Sequence, residues 1–158
     1  MPLEAYAITF VPRVNQNDRR KLPFISSTLD REVDALKVFE SSVPKVQQTL
    51  RGWFDHWLAG IPYPKHYHGW DHEPNKALFV FKWMYKQKFN RFYGFLCHPK
   101  PQSDPRLQLC VLASHAIKKT WETDPAELAG IRRLLTSPAV VRAVTILFPE
   151  YRGEGREK

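Results

Sequence analysis

The stretch RLQLCVLASHAIKKTWETDPAE, residues 106–127, decides the fold of this chain. Its first part is apolar, and one parity is shared by Leu107, Leu109, Val111 and Ala113. An apolar run of this length predicts a largely buried strand over residues 106–114. The stretch then becomes polar and basic at His115, Lys118 and Lys119. A sheet edge that presents clustered cations is suited to hold a polyanion.

The end of the same stretch predicts the start of a helix. Asp124 is a typical N-cap, Pro125 is favoured at the first helical position, and Glu127 is placed to reach back to the cap. A buried strand therefore delivers a histidine and two lysines to a fixed place, and a helix begins just beyond them.

Length and composition indicate one globular domain with an anionic partner. The chain has 158 residues, of which 43% are hydrophobic and 13% aromatic, so we expect one domain over residues 1–150 and a flexible basic tail over 151–158. Lys and Arg number 24 against 16 Asp and Glu, a formal charge of +8. This charge favours nucleic acid, an acidic protein or a membrane surface. Many small proteins are basic without such a partner, and that alternative stays open.

Targeting signals and cysteine usage point to the cytoplasm. The N-terminus lacks the pattern of a signal peptide, and no apolar run approaches the ~18 residues of a membrane span. We therefore expect a cytoplasmic chain with no membrane partner. Cys97 and Cys110 fall on neighbouring predicted strands, in a register that places Cys97 opposite about Arg106. That separation exceeds the reach of a disulfide, and both thiols are expected to be free.

The order of predicted elements indicates an α+β fold. We expect a strand over residues 4–11, two helices over 29–40 and 44–59, strands over 76–87, 89–97 and 106–114, and a helix after Asp124. The last three strands form an antiparallel meander. The predicted architecture is a small antiparallel sheet that the helices cover on one face.

Cations are concentrated on the first two strands of the meander. A tight turn about Gln87 and Lys88 places Arg91 opposite about Met84, so that Arg91 shares a face with Lys82 and Lys86. This assignment of side chains to one face depends on the register of the two strands, because a shift of one residue in their pairing reverses it.

Residues 63–75, YPKHYHGWDHEPN, are predicted to form a loop. They contain His66, His68 and His72 beside Asp71, which are residue types that bind first-row metals. The spacing matches no defined metal site, and we predict none. A loop close to an RNA site and plain surface both remain open.

Two segments resemble the RelE/HigB toxin superfamily of bacterial toxin–antitoxin modules, in particular its HigB-type, phage-derived branch. NRFYGFL at residues 90–96 is similar to a strand of that family, and LCVLASHAIKKTWETDPAELAGI at 109–131 is similar to its strand, Lys-Lys-Thr and helix start. The resemblance covers roughly residues 76–134. The family's Glu-Leu-Arg is replaced by Val80-Phe81-Lys82, and a lysine lacks the bidentate fork of arginine.

The resemblance implies a RelE-like toxin fold and ribosome-dependent cleavage of mRNA without a cofactor. Cleavage by the 2′-OH of RNA needs a base, an acid and positive charge on the phosphate. His115 titrates in the range of a base, and Tyr93 is suited to stack on an unpaired RNA base. The predicted catalytic residues are Arg91, His115, Lys118 and Lys119. The predicted RNA contacts are Lys82, Lys86, Lys88 and Tyr93.

The expected partners are mRNA, the ribosome and an antitoxin with a helix-turn-helix, whose acidic segment would cover the face of Lys82, Arg91 and Lys119. Arg91 and Lys119 are expected at the surface. Three alternatives stay open: His115 only caps a turn, the chain is a non-catalytic binding module, or it is a gyrase-poisoning relative. A base close to the cationic strands would argue against the last.

Overall fold

The computed structural model describes residues 6–118 and 122–154 and has an α+β fold. Within this part of the chain there are seven strands and four helices. Their bounds are β1 Tyr6–Thr9, β2 Arg20–Lys21, β3 Phe24–Ser27, α1 Ala35–Ser41, α2 Pro44–Leu58, β4 Tyr67–Gly69, β5 Leu78–Tyr85, β6 Lys88–Cys97, β7 Gln108–Lys118, α3 Pro125–Thr136 and α4 Pro138–Leu147. None of the helices in these residues has the length and apolar character required to cross a membrane.

The strands form one mixed sheet in the order β1-β3-β7-β6-β5-β4, with β2 also paired to β7. Strands β5, β6 and β7 form the predicted antiparallel meander. Strands β2 and β3 run parallel to β7, so the sheet is larger than predicted and is not purely antiparallel. The predicted first helix begins later, because the Oγ of Ser27 accepts the backbone N–H groups of Leu29 and Asp30 and closes a turn after β3.

Helices cover both faces of the sheet, and the prediction of one covered face is wrong. Helices α1 and α2 pack on the face that carries Phe81, Trp83 and Phe92, here named the α2 face. Helices α3 and α4 pack on the face that carries Val80 and Tyr93, here named the α3 face. Residues 78–81 of β5, Leu-Phe-Val-Phe, are all apolar and buried. Because successive side chains of a strand point to opposite faces, both faces of the sheet need a cover.

A β-bulge interrupts the pairing of β6 with β7. Tyr93 lies opposite Ser114, but Gly94 lies opposite Leu112, so Ala113 is an extra residue in β7. A Cβ atom at Gly94 would lie only 2.2 Å from a backbone carbonyl oxygen of β7. The bulge therefore requires a glycine on the facing strand.

The extra residue changes which side chains of β7 face α3. Before the bulge, Leu109 and Val111 lie in the core on the α3 face. After it, Ala116 pairs with Arg91 and Lys118 pairs with Phe89, which places Ala116 and Lys118 on the α3 face.

The two cysteines are free and buried, as predicted. The register used for that prediction is wrong, because Cys97 lies opposite Leu109 and Cys110 opposite Leu96. Their side chains belong to the cores of opposite faces, Cys97 to the α3 face and Cys110 to the α2 face. The sheet itself therefore separates the two thiols.

The beginning of the predicted flexible tail is packed. Tyr151 is buried, and the carboxylate of Glu154 accepts a hydrogen bond of 2.9 Å from the backbone N–H of His98. Residues 155–158 lie outside the described part of the chain.

Candidate functional site

Three adjacent strands place cations on the α3 face near the β5–β6 turn. Lys82 of β5 lies opposite Arg91 of β6, and Arg91 lies opposite Ala116 of β7. Lys118 follows on the same side of β7. The predicted common face of Lys82 and Arg91 is confirmed, although the partner of Arg91 is Lys82 and not Met84. Burial and the charge of Arg91 both lower the pKa of Lys82.

Arg91 lies inside the protein, and the prediction of a surface position is wrong. Its side chain is 1% exposed. One guanidinium nitrogen, Nη1, donates to the hydroxyl of Tyr93 at 3.0 Å, the carbonyl of Glu122 at 3.2 Å and Oγ1 of Thr123 at 3.2 Å. Arg91 therefore ties the segment before α3 to the sheet, and in this conformation an RNA phosphate has no access to it.

Tyr93 and Lys118 share a carboxylate with the first turn of α3. The hydroxyl of Tyr93 donates to Oε1 of Glu127 at 2.9 Å, and Nζ of Lys118 lies 3.1 Å from the same oxygen. Burial raises the pKa of Tyr93 to about 12, so its hydroxyl keeps its proton. Tyr93 is 1% exposed, and it does not present a ring on which a base could stack. The predicted stacking role is therefore not supported.

The start of α3 follows the sequence prediction in one respect and departs from it in another. The side chain of Asp124 accepts the backbone N–H of Ala126 at 2.9 Å, as an N-cap should. Glu127 does not reach back to the cap, because its carboxylate is held by Tyr93 and Lys118. This acidic residue joins the helix to the cationic face of the sheet.

His115 lies on the α2 face, away from Arg91 and Lys118. Its ring lies 5.8 Å from that of Trp83 and 5.9 Å from that of Phe92, and its Nε2 is 2.8 Å from Oδ1 of Asn90. Burial lowers its pKa, while Asp34 acts in the opposite direction. The bulge at Ala113 is the reason, because the uninterrupted alternation of β7 would have placed His115 with the cations. The predicted acid–base role of His115 beside these cations is therefore not supported.

The other predicted cations surround the β5–β6 turn or lie outside the described residues. Lys86 and Gln87 form the two-residue turn with φ of 49° and 63°, so the turn begins one residue earlier than predicted. Lys88 is exposed and pairs with Tyr85 at the base of the turn. Lys119 lies outside the described residues.

A histidine that the sequence analysis did not select lies close to the cations. His68 belongs to β4 and lies opposite Val80, so its side chain is on the α3 face. Its Nδ1 is 2.8 Å from the carbonyl oxygen of Gly69. Burial, Lys82 and Arg91 lower its pKa, and the hydrogen bond to the carbonyl partly offsets this effect. The signal in the sequence was weak, because β4 has three residues inside a segment rich in proline.

The remaining histidines of residues 63–75 are separated from His68. His66 stacks on Trp53 with ring centroids 4.1 Å apart. His72 is exposed and its Nδ1 is 3.1 Å from a carboxylate oxygen of Asp71. Among the residues that the structure describes, no three histidine, cysteine or acidic side chains are grouped as metal ligands.

A cleft of about 790 Å³ lies between the outer edge of β7, the loop before α1 and α3. Its lining includes His115, two guanidinium groups and four carboxylates, which are those of Arg31, Arg133, Asp30, Glu32, Asp34 and Glu127. Carboxylates repel phosphates, so this cleft is less suited to an RNA backbone than the cationic face.

Comparison of the chain with protein-family models, curated proteins and solved structures gives no significant match.

Proposed function

We propose that this chain is a toxin of the RelE/HigB type, with a RelE-like β5–β7 meander, that binds mRNA on the α3 face and cleaves it on the ribosome. The observation that carries the proposal is the set of cations on three adjacent strands, Lys82, Arg91 and Lys118. RNA is a polyanion, and clustered cations on one face supply the electrostatic attraction that such binding requires. The charge of +8 for the whole chain acts in the same direction.

The cations have different roles in this proposal. Lys82 and Lys118 are partly exposed and contact phosphates, where they stabilise the negative charge that develops during attack by the 2′-OH. Arg91 is buried and acts as a positioning residue that holds Tyr93 and the segment before α3. Lys86, exposed in the turn, extends the cationic surface. Lys88 is also exposed, but it alternates with Asn90 and Phe92 and therefore points to the α2 face.

An acidic antitoxin segment is the protein partner that fits this face. Lys118 already binds one carboxylate, that of Glu127, at 3.1 Å, and acidic side chains of a partner would extend this pattern to Lys82. Co-purification with the product of an adjacent gene would support this partner. A chain that binds no neighbouring product and is harmless when expressed alone would contradict it.

A non-catalytic binding module is the second candidate, and the position of His115 favours it. The histidine predicted as the base lies on the α2 face, whereas the cations lie on the α3 face. A module of this kind would hold RNA without breaking it.

The test is mRNA cleavage by the purified chain with translating ribosomes, mapped as new 5′ ends. Lys82→Gln and Lys118→Gln should each lower the rate about 10²–10³-fold, the usual effect of removing a charge that stabilises the transition state. Lys37→Gln is the matched control, because Lys37 is exposed on α1 at the other face. Melting curves should show all three variants folded.

The two candidates give different results in this assay. RNA binding that depends on Lys82 and Lys118, without cleavage, would support the binding module. Cleavage at the parent rate by both variants would show that the α3 face is not the site. No binding and no cleavage by the parent would overturn the proposed function.

A further inference from the structure

The proposed cleavage requires a general base close to the cations of the α3 face, and His68 is placed to supply it. It lies on β4, next to β5, with its side chain on the α3 face beside Lys82. Directly opposite side chains and diagonal neighbours two residues away are in contact range across a sheet. Both Lys82 and Arg91 act electrostatically on its ring. His68 is therefore the histidine that shares a face with the cations.

The hydrogen bond of His68 determines which ring nitrogen is free to accept a proton. Nδ1 lies 2.8 Å from the carbonyl oxygen of Gly69. A carbonyl only accepts hydrogen bonds, so in the neutral ring Nδ1 carries the hydrogen and Nε2 carries the lone pair. Burial and the two neighbouring cations favour this neutral ring at pH 7. The side chain remains partly exposed, so a bound ligand can approach it.

We propose that Nε2 of His68 is the general base for cleavage of RNA bound on the α3 face. This role rests on the proposed function. In the step, Nε2 takes the proton of a ribose 2′-OH, and the oxygen attacks the adjacent phosphorus. The bond from phosphorus to the 5′ oxygen breaks, and that oxygen leaves with a proton from water. The products are a 2′,3′-cyclic phosphate and a 5′-hydroxyl end, and His68 later returns its proton to water.

The test compares His68→Gln with the parent in ribosome-dependent cleavage. Glutamine keeps polar contacts but cannot accept the proton, so kcat should fall about 10²–10⁴-fold while KM changes little. His72→Gln is the matched control, because His72 is exposed in the same segment and pairs with Asp71. The parent kcat should fall at low pH as His68 becomes protonated, and His68→Gln should lose this limb of the pH profile. The charged groups that act on the ring are Lys82 and Arg91.

A second variant separates a chemical role from a structural one. His68→Ala should regain part of its rate when free imidazole is added, which a merely destabilised variant would not do. Two results, obtained while the parent cleaves RNA, would overturn the role of His68 and leave the proposed function in place. One is an unchanged kcat in His68→Gln. The other is a folded His68→Ala whose rate imidazole does not restore. Absence of cleavage by the parent would overturn the proposed cleavage activity and the role of His68 together.

Discussion

Replacing Arg91 by alanine should destabilise the fold, in contrast to the effect of removing a surface cation. The guanidinium is 1% exposed and donates from one nitrogen to Tyr93, Glu122 and Thr123. That nitrogen has two hydrogens, so at most two of the three bonds reach full strength. Hydrogen bonds that involve a charged group contribute about 1.5–3 kcal/mol each. We therefore expect Arg91→Ala to lower the free energy of unfolding by about 3–5 kcal/mol, a large part of the ~5–15 kcal/mol typical of a domain.

Urea unfolding monitored by tryptophan fluorescence measures this loss. With a slope of about 2 kcal/mol per molar urea, the midpoint should fall by about 2 M. Lys88→Ala is the control, because Lys88 is exposed and its removal should change stability by less than ~0.5 kcal/mol. A midpoint for Arg91→Ala that matches the control would refute the assignment of Arg91 as a buried anchor. If the loss is found, inactivity of Arg91→Ala does not demonstrate a phosphate contact, and rates must be compared per folded molecule.

Four further variants test the backbone and His115. Gly94→Ala places a Cβ atom 2.2 Å from a backbone carbonyl oxygen and should cost more than ~3 kcal/mol or prevent folding, as judged by circular dichroism. Gly52→Ala, with no atom within 4 Å of the new Cβ, should instead stabilise α2 by about 0.5–1 kcal/mol; equal effects of the two would contradict the bulge. Replacing Lys86 and Gln87 by Asn and Gly, the residues preferred where φ is positive, should raise the free energy of unfolding by about 1–2 kcal/mol in urea; a loss would argue against this turn geometry. Stability should decrease as the pH falls below about 6.5, because burial lowers the pKa of His115 and the unfolded chain binds its proton more readily; His115→Asn should lose less stability between pH 7 and pH 5 than the parent.

Local patterns in the sequence predicted those elements whose signals lie within a few residues. The three strands of the meander were predicted because their apolar and aromatic runs are long, and each is bounded by a turn. The start of α3 was predicted because Asp124, the N-cap, is followed directly by Pro125 at the first helical position. The common face of Lys82 and Arg91 followed from the alternation along one hairpin.

The roles of the site residues depend on contacts that local patterns do not contain. Arg91 is buried and donates to Glu122 and Thr123, which are more than 30 positions away, so its depth cannot be inferred from its own strand. His68 was named only as part of a loop, because three residues of β4 give no clear alternation and only pairing with β5 orients them. His115 was assigned to the wrong face because nothing in an alternating pattern reveals an extra residue.

The bulge at Ala113 decides which side chains the end of β7 presents on each face. The extra residue is absorbed at one point, so its removal would leave residues 114–118 opposite their present partners on β6. The same residues in a strand of continuous alternation would instead bring Ile117 to the side now occupied by Lys118. A shift of the bulge along the strand past residue 118 would therefore alter the chemistry of the surface more than most substitutions. An alignment across residues 109–118 that misplaces one gap would equate side chains that lie on opposite sides of the protein.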